Sequence, residues 1–433
     1  MIKLVHRFRG GVHPDPSKLT AGSGIKKPKL PEKVVLPLRQ HVGAICDPLV
    51  EEGDHVRVGQ KIADSDSVVS APIHASISGT VTEISTKLTP TGEEVQSVTI
   101  ESDGEDRWIK TKGLHPEKSS KEDILAKIRE CGIVGLGGAA FPTHVKLSPP
   151  KEKKVGTLII NGAECEPYIT ADHRLMLENG EKILEGARII ARVLGVKRTV
   201  VAIEDNKRDA LEKIRKLSDG EIEVVSLRTR YPQGDERHLI KAVVGKEIPP
   251  GGLPFDVGVV VQNVGTAKAV YDAVRDGIPL VERVVTVTGD VRKPKNLLVR
   301  VGTLFSHLID ECGGPLGMAR KVISGGPMMG IAQSRDVPVV KGTNCILVFN
   351  EGKVVEEEEM PCIRCGRCIE ACPMGLMPVT LVTLVRARKF EACSEYNIMS
   401  CDECGCCAYV CPSKIPLVQV IKHGKSVLSS MKR

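Results

Sequence analysis

Near its C-terminal end the sequence twice spells C-x2-C-x2-C-x3-C-P: Cys362, Cys365, Cys368 and Cys372 before Pro373, then Cys401, Cys404, Cys407 and Cys411 before Pro412. Three thiolates at two-residue intervals can wrap one corner set of a 4Fe-4S cubane, while the fourth, held off at a helix start, points toward a second cluster. The spacing therefore predicts two 4Fe-4S clusters with crossed ligation. Cys362, Cys365, Cys368 and Cys411 would hold one, and Cys401, Cys404, Cys407 and Cys372 the other. Cys406 competes for the place of Cys407, which the two-residue spacing favours. A pair of zinc knuckles is the plainer alternative, but zinc sites normally stop at two pairs of ligands and lack the trailing Cys-Pro. The 28 residues between Cys372 and Cys401 include the helix-like "MPVTLVTLVRARKFEACSEY", which predicts a helical arrangement.

Fifteen cysteines in a chain kept in a reducing compartment argue for metal ligation and against a disulfide framework. The first thirty residues support that compartment: Arg7, Arg9, Lys18, Lys26, Lys27 and Lys29 stand among prolines and glycines, with no apolar core of a secretory signal. No stretch approaches the roughly 18 apolar residues of a membrane helix. A cytoplasmic chain that does not itself span the bilayer is expected. The net charge of +7 is spread among acidic residues, which argues against nucleic acid as a partner. Aromatic residues make up only 3%, so few platforms exist for stacking a flat ring. The remaining cysteines, 46, 131, 165, 312, 345 and 393, lack ligand spacing and read as small buried residues. His41, His144 and His238 are scattered and read as surface or core residues.

At 433 residues the chain exceeds one hydrophobic core, and its pattern changes along its length. Within 1–115, "LRQHVGAICDPLVEEGDHVRVGQKIADSDSVVSAPIHASISGTVTEI" is cut by Gly and Pro turns into short β segments. It resembles the barrel-sandwich hybrid of biotinyl and lipoyl domains, but the turn that carries their modifiable lysine reads Asp64-Ser65-Asp66-Ser67. A docking module is expected in place of a swinging arm. Region 116–280 alternates helices and strands: a helix after Ser120 with Ile124, Ile128 and Cys131 on one face, the strand 157–161, a helix 174–194, the strand 198–203, a helix 206–217 and the strand "EIEVVSL". This βαβαβ order predicts a doubly wound parallel sheet whose ligands bind beyond the strand C-termini. Region 281–350 has "RVVTVTGDVRKP", the helix-like "TLFSHLIDECGG" and a strand before "SGGPMMG", an order that suits a β-grasp module. The acidic run 356–359 reads as a linker into the cysteine-rich region 351–433. The fold class is thus multidomain α/β: a barrel-sandwich hybrid, a doubly wound α/β domain, a β-grasp module and a helical dicluster domain.

"GLGGAAFPTHVK" spans residues 135 to 146. Its Gly135, Gly137 and Gly138 let backbone approach a phosphate or flat ring, and Lys146 can neutralise phosphate charge. A glycine cluster alone has many structural uses. Together with "NGAECEPY" (161–168), "YPQGDERHLIKAVVGKEIPPGG" (231–252) and "QNVGTA" (262–267), it resembles, in order and spacing, the flavin loops of the NADH-binding subunit of respiratory complex I. With "FRGGVHP" (8–14), "QHVGAICDPLVEEGD" and the paired cysteine motifs added, the whole chain resembles the C subunits of Rnf electron-transport complexes. The third region resembles the soluble-ligand-binding β-grasp domain that accompanies such flavin domains.

The resemblance implies FMN held by Gly135, Gly137, Gly138 and Lys146. Asn161, Tyr231, Gly234, Asp235, Glu236, Asn263 and Thr266 match the family's further flavin-loop positions. Glu164 and Glu166 align with carboxylates on the nucleotide side, where negative charge would disfavour NADPH. Ala163 and Gly265 depart from the complex I pattern. No side chain is implied as acid or base. The resemblance further implies electron exchange between NAD(H) and ferredoxin through FMN and the two clusters, with ion movement left to partner subunits. It places the chain peripherally on the cytoplasmic face of the membrane, bound to integral and iron-sulfur subunits, with ferredoxin reached only indirectly. A cobalamin reductase of the diol-utilisation type shares this domain set, although "FRGGVHP" favours the Rnf reading. A non-catalytic iron-sulfur relay or scaffold is the alternative from another class.

Overall fold

The computed structural model describes residues 6–354 and 358–431. Residues 356 and 357 of the expected acidic linker lie outside the described residues. Glu359, at its end, is held by Arg386 at 2.6 Å.

The parallel sheet of the second region runs in the order Glu223–Leu227, Arg198–Glu204, Thr157–Gly162, Val259–Asn263, every neighbouring pair parallel. The chain leaves the 157–162 strand toward one side of the sheet and later returns on its other side, so Asn161 and Asn263 stand in register where the winding reverses. Loops diverge at such a point and leave a crevice. Helix α1 (Lys121–Glu130) starts at Ser120, which exchanges hydrogen bonds with Asp123 in a capping box, and buries Ile124 and Ile128. The expected helix over 174–194 is two helices, Ala171–Glu178 and Gly180–Leu194, broken at Asn179. Asn-Gly is poor helix sequence, and bare Gly180 lets Leu217 approach. Gly186 of the second helix is packed harder still, since a Cβ there would stand 1.8 Å from the carbonyl oxygen of Ala267.

In the first region, a four-stranded and a three-stranded sheet enclose Val34, Leu36, Ile62, Ile77, Val98 and Ile100. The turn at Asp64 is pinned to the end of α1: Arg129 meets Asp64 at 3.0 Å and the Ser65 carbonyl at 2.7 Å, and Lys61 reaches Glu130 at 2.6 Å. The turn at the position of the missing lysine is thus held against the body of the chain. The third region forms a six-stranded mixed sheet covered by the helix Phe305–Glu311. The sequence reading passed over three of its strands, Lys295–Arg300, Ile331–Gln333 and Cys345–Asn350, and its edge is completed by Ile25–Lys26 from far upstream. In the fourth region, helices Pro378–Arg386 and Leu417–Met431 pack through Leu381, Val382, Val385, Ile421 and Leu428. No helix among the described residues is long and apolar enough to cross a membrane.

Lys341 joins three of these units. Its side chain is fully buried, and Nζ donates to the carbonyls of Pro72 in the barrel (2.7 Å) and Gly132 after α1 (2.8 Å). Burial lowers its pKa to about 8. Lys341→Ala leaves two buried carbonyls unpaired and a cavity behind them, so it should cost about 3 kcal/mol, measured as a lower denaturant midpoint.

Candidate cofactor sites

Four segments distant in sequence converge on the crevice. The glycine loop closes on itself through the Gly135 N–H, which donates to the Phe141 carbonyl at 2.9 Å. It docks on the helix Val264–Tyr271 through the Leu136 N–H, which donates to Thr266 Oγ1 at 2.9 Å. Asn263 caps that helix by accepting from the Gly265 N–H at 2.7 Å, and its amide donates to Asp172 at 2.6 Å. Gly137 faces that side chain: a Cβ there would lie 3.4 Å from Asn263 Cβ. Asn161 donates to the Gly234 carbonyl at 2.8 Å. Asp235 caps the helix Glu236–Val244, accepting from the backbone N–H groups of Arg237 and His238. Lys146 meets Glu236 at 2.5 Å, joining the first loop to the third. Gly138, at φ +122, has open space where a Cβ would be.

Three expected contacts are placed differently. Tyr231 is buried, and its hydroxyl donates to the Cys404 carbonyl at 2.7 Å. It ties the crevice to the second cysteine motif and does not line the crevice. Glu164 and Glu166 are partly exposed, but both turn to backbone N–H groups. Glu164 caps the helix Ala171–Glu178 by accepting from Asp172 and His173, and Glu166 accepts from Met328 (3.2 Å) and Met329 (2.8 Å). Beneath them Lys18 donates to the carbonyls of Glu164, Glu166 and Ile169 at 2.7–2.9 Å. Burial pushes both carboxyls up to about 7. Their folded pKa therefore exceeds the ordinary value of 4.5, and between the two values the folded chain holds protons the unfolded chain has released. The contribution of these two carboxyls to stability should fall as pH rises from about 4.5 to about 7. Glu166→Gln should flatten that decline, read from denaturation midpoints across the window.

The sequence reading missed Lys18, Asp172 and Arg283. Arg283, buried in a strand, donates to the carbonyls of Lys341 (2.6 Å) and Leu136 (3.3 Å) and so supports the glycine loop from below. Arg283 leaves a trace in the sequence, a charge set inside the apolar run "ERVVTV". Lys18 leaves none.

The two cysteine motifs share one backbone course. Arg364 and Gly366 in the first, and Glu403 and Gly405 in the second, all take left-handed conformations. The turn aims N–H groups at sulfur: Arg364 at Cys362 Sγ and Glu403 at Cys401 Sγ, both 3.4 Å. Cys362, Cys365, Cys368 and Cys411 line one cavity of about 200 Å³ with Ile363, Val379 and Leu417. Cys372 lies instead within electrostatic reach of Cys401, Cys404 and Cys407. The fourth thiol of each motif thus sits with the other motif's triplet, and two sets of four thiols suit two iron-sulfur cubanes. Cys406 shares a buried cluster with Cys404, Val12, Tyr231 and Ala371 and also lies within electrostatic reach of Cys372, whereas Cys407 packs with Cys372 and Cys401 in the helical core. Of the six other cysteines, all but Cys165 are buried.

Four domain families match in sequence: the RnfC barrel sandwich hybrid domain at residues 6–105, the Nuo51 FMN-binding domain at 128–272, the SLBB domain at 284–332 and the 4Fe-4S dicluster domain at 361–415. The C subunit of the proton-translocating ferredoxin:NAD(+) oxidoreductase complex of Clostridium ljungdahlii is 50% identical over 98% of this chain and 94% of its own length. This chain belongs to the family of Rnf C subunits. The Na(+)-translocating counterpart from Acetobacterium woodii is 43% identical over 98% of both chains. A chain of an NAD+-reducing [NiFe]-hydrogenase in its H2-reduced state shares the fold, with a TM-score of 0.51 and 19% identity, over 73% of this chain and 62% of that one. Rnf C subunits are parts of larger oxidoreductase complexes, and this one carries their FMN-binding and 4Fe-4S dicluster domains.

Proposed function

We propose that this Rnf protein exchanges electrons between NAD(H), bound over the crevice, and the iron-sulfur subunits of its complex, within a ferredoxin:NAD oxidoreductase. FMN, when bound, exchanges an electron pair with the nucleotide and single electrons with the clusters. Gly135, Gly137, Gly138 and Lys146 would hold it, with Asn161, Asn263, Thr266 and Asp235 fixing the surrounding loops. The observation that carries the reading is the contact of Tyr231, at the head of the third loop, with the Cys404 carbonyl. The crevice, the inner thiols (Cys372, Cys401, Cys404, Cys407) and the outer thiols (Cys362, Cys365, Cys368, Cys411) then form a series that ends at the surface, where Cys362 and Cys365 are exposed. Ion movement belongs to partner subunits, and the chain would sit on the cytoplasmic face through them.

Anaerobic purification followed by rapid mixing tests this. About one FMN and about eight irons per chain, with the flavin bleached on adding NADH, are expected. Two clusters without flavin or nucleotide response would favour a relay.

A further inference from the structure

The segment Phe8–Val12 threads between the crevice and the inner thiols. Val12 and Tyr231 pair as an antiparallel bridge, Val12 N–H to Tyr231 O at 2.8 Å and Tyr231 N–H to Val12 O at 3.0 Å. The Gly11 N–H donates to the Ala371 carbonyl at 2.9 Å, next to Cys372. Gly10 (φ +64) lies so close to the end of the first cysteine motif that a Cβ would stand 2.5 Å from the Cys372 carbonyl oxygen and 2.8 Å from that of Ala371. Both neighbours are backbone, so neither can swing aside. Phe8 anchors the segment, its ring 4.7 Å from the His238 ring with the Arg230 guanidinium over it at 5.3 Å. Val12, Tyr231, Ala371, Cys404 and Cys406 form one buried apolar cluster.

We infer that Phe8–Val12 is a strap that seals the inner thiol set from water, so that the two clusters differ in potential and in reactivity toward oxygen. The inference rests on the reading that both thiol sets hold 4Fe-4S clusters. With four thiolates, each cluster is an anion that gains negative charge on reduction, and a dry surround disfavours the more charged form. Of the inner thiols Cys404 and Cys407 are buried and Cys372 and Cys401 are half-buried, so this better-covered cluster should have the lower potential and resist air. The outer cluster, with Cys362 and Cys365 exposed, should lose its iron first. The strap's residues are positioning residues and touch no substrate.

The test uses the full chain, purified anaerobically with its clusters, as wild type and as Gly10→Ala. Exposed to air, the wild type should lose its iron-sulfur absorbance in two phases of similar size, one several-fold slower than the other. Gly10→Ala should lift the strap, leave the iron content intact, and merge the phases into one fast loss. In an EPR-monitored titration one midpoint potential should rise while the other stays. Where Gly10→Ala does not fold, Phe8→Ala removes the anchoring ring without introducing a clash and should give the same two changes. Persistence of the slow phase with both potentials unchanged, in whichever variant folds, would overturn the strap. A wild-type chain short of about eight irons would instead overturn the cluster reading itself.

Discussion

Cys411→Ala should abolish the iron-sulfur centre built by the first cysteine motif and spare the one built by its own. Cys411 lines the same cavity as Cys362, Cys365 and Cys368, whereas Cys401, Cys404 and Cys407 have Cys372 within electrostatic reach. Removing one of four thiolates leaves a cubane without a corner ligand, so the variant should purify with about four irons in place of eight. Cys365→Ala should give the same surviving EPR signal, and Cys372→Ala should give the complementary one. If Cys411→Ala and Cys407→Ala share a phenotype, ligation is not crossed.

The second large effect is expected at the crevice. Gly137→Val would set two methyl groups against Asn263, whose Cβ already lies 3.4 Å from the position of the new Cβ. Asn263 cannot retreat easily, because its side chain both caps the helix Val264–Tyr271 and holds Asp172. The methyl groups then occupy the space over the glycine loop. Flavin content should fall roughly tenfold or more, which corresponds to only about 1.4 kcal/mol of lost binding, while iron content stays near eight. Dithionite should still reduce the clusters in this variant, and NADH should not.

The cysteine motifs were legible because their chemistry is local: the spacing that encodes two sets of four thiols lies within two short runs, and the crossed grouping follows from the offset of the fourth cysteine. The four crevice loops were legible as motifs, and the alternation of strand and helix placed them at strand ends. Orientation within the loops was not. Glu164 and Glu166 read as nucleotide-facing carboxylates, yet each finds backbone N–H groups that only the fold supplies, at the start of the helix Ala171–Glu178 and at 328–329. Tyr231 read as a flavin contact, and its partner Cys404 lies 173 residues away. Lys341 and Lys18 are single charges in unremarkable sequence, and only tertiary packing shows that each ties separate segments together through carbonyl oxygens. The break at Asn179 was written in its Asn-Gly pair, but the apolar periodicity on either side concealed it.

The central claim is that nucleotide and clusters exchange electrons only by way of the flavin. It is tested most directly by reducing the clusters of the anaerobic chain photochemically, adding NAD+, and following cluster reoxidation together with NADH formation. The wild type should regain cluster absorbance as NADH appears, and Gly137→Val, with the same reduced clusters, should do neither. NADH formation at the wild-type rate in the flavin-free variant, or none in a flavin-replete wild type, would contradict the account.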